Sequence, residues 1–476
     1  MQLASVQFKR RAVEALADER LQATMKRFGS GFADKRAAAR AAFGVEAFEE
    51  LRSASASIRD RALEHLDAWL LRFEQAATRR GTVVLWAENA DEACRHVLEI
   101  CARHGLKKAI KSKSMLSEEA GLNEVLAAAG VQPVETDLGE YILQLAEEPP
   151  SHIIAPAIHK DLAQVSELFE KHHARPRSDD IAHLTREARE VLRPHFLSAD
   201  LGISGGNFLV AETGSVALVT NEGNGRMVTT LPRVHIAITG IEKVVPTLED
   251  LCTLNRILPR SATGQEIENY FSILTGPRRA GDADGPEHMY VILVNNGRTR
   301  FVGGDLQEML RCIRCGACMN HCPVFQTIGG HAYGWVYPGP MGSVLTPVYQ
   351  GLENALDLPQ AATLCGACEV ACPVMIPLPA LLRKLREQQV ERNLRPWTER
   401  AGLRIWAALA LRPRLYALAT GLAVRILRWL GGRRGSIARL PLDPGWTQGR
   451  DFPAPQGRTF RELYAEYQRA SHWRRS

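Results

Sequence analysis

Seven of the ten cysteines in this chain fall into two short runs whose spacing suits one kind of chemistry. The first is Cys312-Ile-Arg-Cys315-Gly-Ala-Cys318-Met-Asn-His-Cys322-Pro323, a C-x2-C-x2-C-x3-C-P pattern. Thiolates at this spacing wrap a tight loop around a cubane iron–sulfur cluster, and the last cysteine, past the loop, serves a second cluster. Pro323 suits the first turn of a following helix, where no amide hydrogen is needed. The second run, Cys365-Gly-Ala-Cys368-Glu-Val-Ala-Cys372-Pro373, repeats the pattern with Ala362 where its first cysteine would stand. Crosswise sharing assigns Cys312, Cys315, Cys318 and Cys372 to one [4Fe-4S] cluster, and Cys322, Cys365 and Cys368 to another. That second site is one thiolate short. Its fourth iron takes another side chain, water or a partner's ligand, or the site holds a three-iron cluster.

Two plainer chemistries fit the spacing poorly. A structural zinc site separates its C-x2-C pairs by about a dozen residues or more, and disulfides require an oxidising compartment. The N-terminus shows no apolar signal core, and the cysteine usage points to a reducing cytoplasm. Cys94, Cys101 and Cys252 stand alone and read as small buried residues.

The elements that position these cysteines need more than one core, because 476 residues imply two or three domains. Residues 1–80 are charged, alanine-rich and helical in period. Residues 81–300 alternate strands with helices, which implies a largely parallel sheet covered on both faces. The expected strands are Thr82–Trp86 (buried), Ala109–Ile110, Gln132–Asp137, Ile153–Pro156, Val234–Ile238 and Met289–Val294. One helix spans Asp91–His104, and another is capped by Ser117 and closed by Gly130. The glycine-studded stretch from Gly202 to Arg226 reads as hairpin turns ahead of a ligand pocket. It contains no G-x-G-x-x-G following a first strand, so it does not read as a nucleotide site.

Residues 301–395 carry the two cysteine runs, joined by an aromatic, glycine-rich linker, Gly329–Gly342. That linker packs over the clusters and limits water, or is an ordinary connector with core aromatics. Residues 396–476 form a basic helical tail. From Glu391 onward, 17 Arg or Lys face 6 Asp or Glu, a net of +11 within a chain whose total is +6. Its apolar stretches, Ile405–Leu411 and Leu415–Leu430, are interrupted by Arg412, Pro413, Arg414, Arg425 and Arg428, which disfavours a spanning helix. Trp406, Leu409, Leu422, Ile426 and Trp429 suit an amphipathic helix on an anionic membrane, or one docked on a partner subunit or the chain's own body. Nucleic acid is not expected, because no binding fold accompanies the charge. A short charged helix around Phe460 and Tyr464 ends the stretch from Gly445 to Arg475.

Lys111–Met115, Glu135–Glu140, Ser151–His159 and the stretch from Gly205 to Gly223 resemble the lactate-utilisation (LUD) domain. Followed by seven cysteines in this order, they resemble the lactate-utilisation iron–sulfur subunits, the B components of bacterial L-lactate oxidation complexes. The resemblance implies an α/β sheet like that of CoA-transferases and sugar-phosphate isomerases, then a ferredoxin-like two-cluster domain. It also implies electron transfer during oxidation of L-lactate to pyruvate, beside a cysteine-rich-domain subunit and a second LUD-domain subunit. In that family seven cysteines are usual, so Ala362 is a family feature. Localisation would be cytoplasmic, peripheral to the inner membrane if the tail touches lipid. The fold analogy points to Glu212 or Glu222 as a reactive carboxylate. A stand-alone oxidoreductase with substrate in the α/β domain is the second reading, and an iron–sulfur sensor is the third.

Overall fold

The computed structural model describes residues 3–267, 270–440, 447 and 450–472. The chain divides into two units, Met1–Gln389 and Val390–Ser476. The first unit opens with four helices: α1 (Phe8–Ala17), α2 (Glu19–Phe43), α3 (Val45–Glu64) and α4 (Leu66–Arg79). α3 buries one face, Phe48, Leu51, Ser55, Ile58, Ala62 and Leu63, and the same face carries Arg52 and Arg59. These arginines hold the cysteine loops, as described below.

Six strands then form one wholly parallel sheet: β1 (Val83–Ala87), β2 (Lys108–Lys111), β3 (Gln132–Glu135), β4 (Leu201–Ser204), β7 (Val234–Gly240) and β10 (His288–Val294). Their order is β1-β10-β7-β4-β2-β3, with His288 beside Val234 and Leu201 beside Val234 in register. The central strands are buried on both faces, as parallel strands between helices must be. Tyr290, Ile292 and Val294 of β10 pack into one core with Val97, Cys101 and Leu126. The alternate residues Met289, Val291 and Leu293 pack with Leu70, Phe73 and Ala77 of α4.

A second, mixed sheet of four strands lies in the same unit: β5 (Phe208–Val210), β6 (Ser215–Thr220), β8 (Val244–Val245) and β9 (Tyr270–Leu274), in the order β8-β5-β6-β9. Its β5–β6 hairpin turns at Gly214, whose φ of 68° suits glycine and whose missing Cβ would meet the Ala77 backbone at 2.1 Å.

Four sequence expectations change. The Thr82–Trp86 segment is an edge strand rather than a buried one, with Val83 and Trp86 each more than 40% exposed, because β1 pairs only with β10. Ile153–Pro156 is irregular rather than a strand. The amides of Ile154 and Ala155 both donate to Nδ1 of His152, at 3.0 and 3.1 Å, instead of to a neighbouring strand. Ser114, not Ser117, caps the helix that follows β2. That helix stops at Ala120, because Gly121 is left-handed, and a second runs Leu122–Ala128. Cys252 is exposed, because Leu251, Leu254 and Leu258 turn the other side of its helix inward.

The second unit holds helices Trp397–Ala410 and Pro413–Gly431, packed on each other, and Phe460–His472. Gly445 and Trp446 lie outside the described residues. Among the described residues, no helix is long and apolar enough to cross a membrane. Trp406, Leu422, Ile426 and Trp429 are exposed, whereas Leu409 is half-buried.

Candidate metal centre and adjoining cavity

The two cysteine runs fold into loops with the same backbone. Arg314 and Leu364 both take left-handed φ values, 60° and 56°, just before Cys315 and Cys365. Gly316 and Gly366 follow at 74° and 84° and open the short helices Ala317–Asn320 and Ala367–Ala371, which pack together. Cys322 and Cys372 then leave in extended conformation ahead of Pro323 and Pro373, and Pro323 opens the helix Pro323–Ile328 as its spacing predicted.

Packing of the loops brings distant cysteines together. Cys312, Cys315, Cys318 and Cys372 line one small cavity with Ile153, Arg314 and Met341. Cys322, Cys365 and Cys368 form the other group: the charge on Cys322 is felt by Cys368, and that on Cys365 by both. Burial pushes the thiols of Cys315 and Cys318 up, and carries Cys372 to about 11 and Cys368 to about 12. Metal binding must therefore displace protons from these thiols. Cys365 is the exception. It is exposed, and hydrogen bonds from the Thr363 side chain and the Ala367 amide hold its thiol low.

Helix α3 clamps both loops. Arg52 donates to the carbonyl of Cys372 at 3.0 and 2.8 Å and to that of Glu369 at 3.3 Å. Arg59 donates to the carbonyls of Val244 at 2.9 Å, Leu310 at 3.1 Å and Glu242. Asp60 accepts two hydrogen bonds from Arg311, at 2.6 and 2.9 Å, and Arg311 also donates to the Met375 carbonyl. The sequence reading missed these residues. Their signal was present: arginines seven residues apart on the apolar stripe of a helix are out of place on a core face unless paired.

An iron–sulfur centre fits this donor set, which is all sulfur. A second observation agrees with it. Tyr333, from the aromatic linker, is fully buried, and its hydroxyl has no hydrogen-bond partner among the described residues. The charges of Cys322 and then Cys318 act on it, one cysteine from each group. Cluster sulfur would supply the acceptor that such a hydroxyl requires. Trp335 and Tyr337 of the linker are also buried, 5.4 Å apart, and Arg314 lies over the Tyr337 ring at 4.7 Å.

A larger cavity, of about 520 Å³, lies at the C-terminal ends of the parallel strands and borders the first loop. Gly205, Gly206, Asn207, Glu222 and Asn224 line it, so the glycine-rich stretch makes a pocket wall as well as turns. Glu222 faces this cavity and accepts from the Leu138 amide at 3.2 Å; burial, then Asp137, raises its carboxyl. Glu212 is not part of it: its carboxylate accepts from the Leu248 amide at 3.0 Å, in the first turn of the helix after β8, whose N-cap is Thr247. At the end nearest the cysteines stand Glu242, Lys243, Arg298 and Arg314. Burial works against the Glu242 carboxylate, but Arg298 at 2.7 Å holds it down to about 2. Burial and then Arg314 bring Lys243 down to about 7.

Comparison with known families places these parts. The LUD domain model matches residues 70–294, the 4Fe-4S dicluster domain 308–376, and the C-terminal domain of lactate utilisation protein B 380–469. A lactate utilization protein B of Geobacillus kaustophilus is 43% identical over 431 residues, covering 89% of this chain and 90% of its own. The Bacillus subtilis lactate utilization protein B is 43% identical over 88% of each chain. An electron transport protein of Escherichia coli, YkgF, is 42% identical over 88% of this chain and 89% of its own. Identity at this level, sustained across both the α/β region and the cysteine loops, shows that the chain belongs to the lactate utilization protein B family.

Proposed function

We propose that this chain is an iron–sulfur electron-transfer subunit serving the oxidation of L-lactate to pyruvate. Cys312, Cys315, Cys318 and Cys372 hold one [4Fe-4S] cluster, and Cys322, Cys365 and Cys368 hold a second that lacks a fourth thiolate. Clusters at these positions supply one-electron acceptance and release. The chain's own residues do the rest. Arg52 and Arg59 fix the loops, Tyr333 offers a hydroxyl proton to sulfur, and the buried linker keeps water from the first site. The observation that carries this reading is Cys372, which lies 50 residues beyond Cys322 yet lines the same cavity as Cys312, Cys315 and Cys318.

The domains run 1–80, 81–300, 301–395 and 396–476 in this reading. The name of the relatives supports a place in a lactate-use system with further subunits, here a cysteine-rich-domain protein and a second LUD-domain protein. The exposed apolar face of the basic tail then docks on such a partner or on an anionic membrane surface from the cytoplasmic side. Reconstitution tests the role: clusters in the chain should be reduced by L-lactate only when the partner subunits are added.

One observation favours a second reading, an oxidoreductase that takes substrate itself. The 520 Å³ cavity of the α/β region shares Ile153 and Arg314 with the four-cysteine cavity. Turnover of L-lactate with an artificial acceptor by the chain alone would select that reading.

A further inference from the structure

Neither the cysteine loops nor the larger cavity uses Glu148, His159 and His331, yet the ligand atoms of these three lie within 4.8 Å of one another. Glu148 and His159 flank the irregular segment that follows the helix Leu138–Ala146. His331 starts the short turn His331–Tyr333 in the aromatic linker. The two stretches are pressed together: a Cβ on Gly330 would meet the Ser151 carbonyl at 1.7 Å, so only glycine fits there.

Oxygen partners fix which ring nitrogens carry hydrogen. Nε2 of His331 lies 2.7 Å from the Pro149 carbonyl. A carbonyl only accepts, so Nε2 carries the hydrogen and Nδ1 keeps a lone pair. Nδ1 of His159 lies 2.7 Å from the Ser151 hydroxyl, which itself donates to the Pro156 carbonyl at 3.1 Å. With that hydroxyl hydrogen committed, Nδ1 of His159 donates, and its Nε2 lone pair faces Oε2 of Glu148 at 2.8 Å. Burial lowers both imidazoles, His159 to about 4, so neither carries a second proton at neutral pH. Two lone pairs and a carboxylate oxygen then converge, which is costly unless a cation completes them. Lys160 does not fill that role, because it pairs with the other oxygen of Glu148, Oε1.

We propose that Glu148, His159 and His331 form a mononuclear site for a divalent transition-metal ion, tying the linker to the α/β region. Two imidazoles and one carboxylate suit zinc or iron(II); magnesium and calcium prefer shells of oxygen. Ser151, the Pro149 carbonyl and Lys160 are the hydrogen-bonding partners that hold the three ligands in place. Three protein ligands leave a coordination position for water, and the Glu148 side chain, 34% exposed, gives the ion a way in.

The test uses anaerobically purified, full-length, iron-loaded chain, washed with citrate, with zinc chloride as the probe. Equilibrium dialysis should show about one zinc per chain, with cluster iron unchanged. X-ray absorption at the zinc edge should show a shell of nitrogen and oxygen without sulfur. His331→Gln, whose amide can still donate to the Pro149 carbonyl, should weaken binding by more than about a hundredfold, and Ser151→Ala by about tenfold. Iron content and circular dichroism should match the unaltered chain in both. No zinc uptake overturns the site, because the contact between His159 and Glu148 is then an ordinary hydrogen bond. Sulfur in the zinc shell puts the ion on a cysteine and overturns it too, as does zinc binding unchanged in His331→Gln. Should either variant fail to fold, the absorption spectrum of the unaltered chain still decides.

Discussion

The two cysteine loops share a backbone and differ in everything around it. Cys312, Cys315, Cys318 and Cys372 sit among buried cations, with Arg59, Lys243 and Arg314 near Cys312 and Arg52 on the Cys372 carbonyl. The group of Cys322, Cys365 and Cys368 has an exposed member, Cys365, and Ala362 at the place of a fourth thiol. A four-thiolate cubane would carry net negative charge, which the first setting would compensate, whereas a cluster in the second would meet solvent at Cys365. The difference is one of access: the first group has a half-buried member, Cys312, and borders the larger cavity, whereas the second has an exposed one, Cys365.

The sharpest way to break that contrast is to remove one thiol from each site. Cys372→Ser should cost the first site's roughly four irons and lower the unfolding temperature, since the Arg52 clamp depends on that loop. Cys365→Ser should cost only the second site's iron and leave thermal unfolding nearly unchanged. Equal losses in iron assays and calorimetry would erase the distinction.

Next in size is Arg59→Met. It leaves three buried carbonyls without their donor and should cost roughly 3–5 kcal/mol in denaturant unfolding. Iron at the first site should become labile to chelators, with the second site unaffected.

Ala362→Cys probes the opposite end by offering the second site a fourth thiol. Slower iron release to a chelator, by severalfold, is expected at that site alone. Unchanged release would mean that the missing position is not where the fourth iron sits.

The smallest effect belongs to Tyr333→Phe, which removes a hydroxyl lying between the groups. Losing about 1 kcal/mol of hydrogen bonding to sulfur corresponds to about 40 mV for one electron. Redox titration followed by electron paramagnetic resonance should show the potential falling, because the hydroxyl favours the more negative, reduced form. An unchanged potential would make Tyr333 packing only.

Much of the site was legible because it is local. Cysteine spacing, Gly316 and Gly366 after the second thiol, and Pro323 at a helix start are all encoded within a dozen residues. The ferredoxin pattern also groups Cys372 with the first loop, and Cys372 lines one cavity with Cys312, Cys315 and Cys318. What sequence could not give depends on partners distant along the chain. Ile153–Pro156 has strand composition, yet its amides serve His152, whose ring also reaches Asn320 at 3.0 Å. Thr82–Trp86 is apolar enough for a core strand, and only the strand order puts it at an edge. The cavity required Lys243, Glu222 and Arg314 to converge from separate elements. Turn chemistry explained the glycines just as well until that convergence was visible.

Iron quantitation with electron paramagnetic resonance on anaerobically purified, full-length chain tests the central claim most directly. Cubane loading at both loops predicts about eight irons per chain, or about seven if the second site holds three, together with signals that appear on reduction. A folded chain that is colourless and free of iron, yet still passes electrons from L-lactate with its partners, would contradict it.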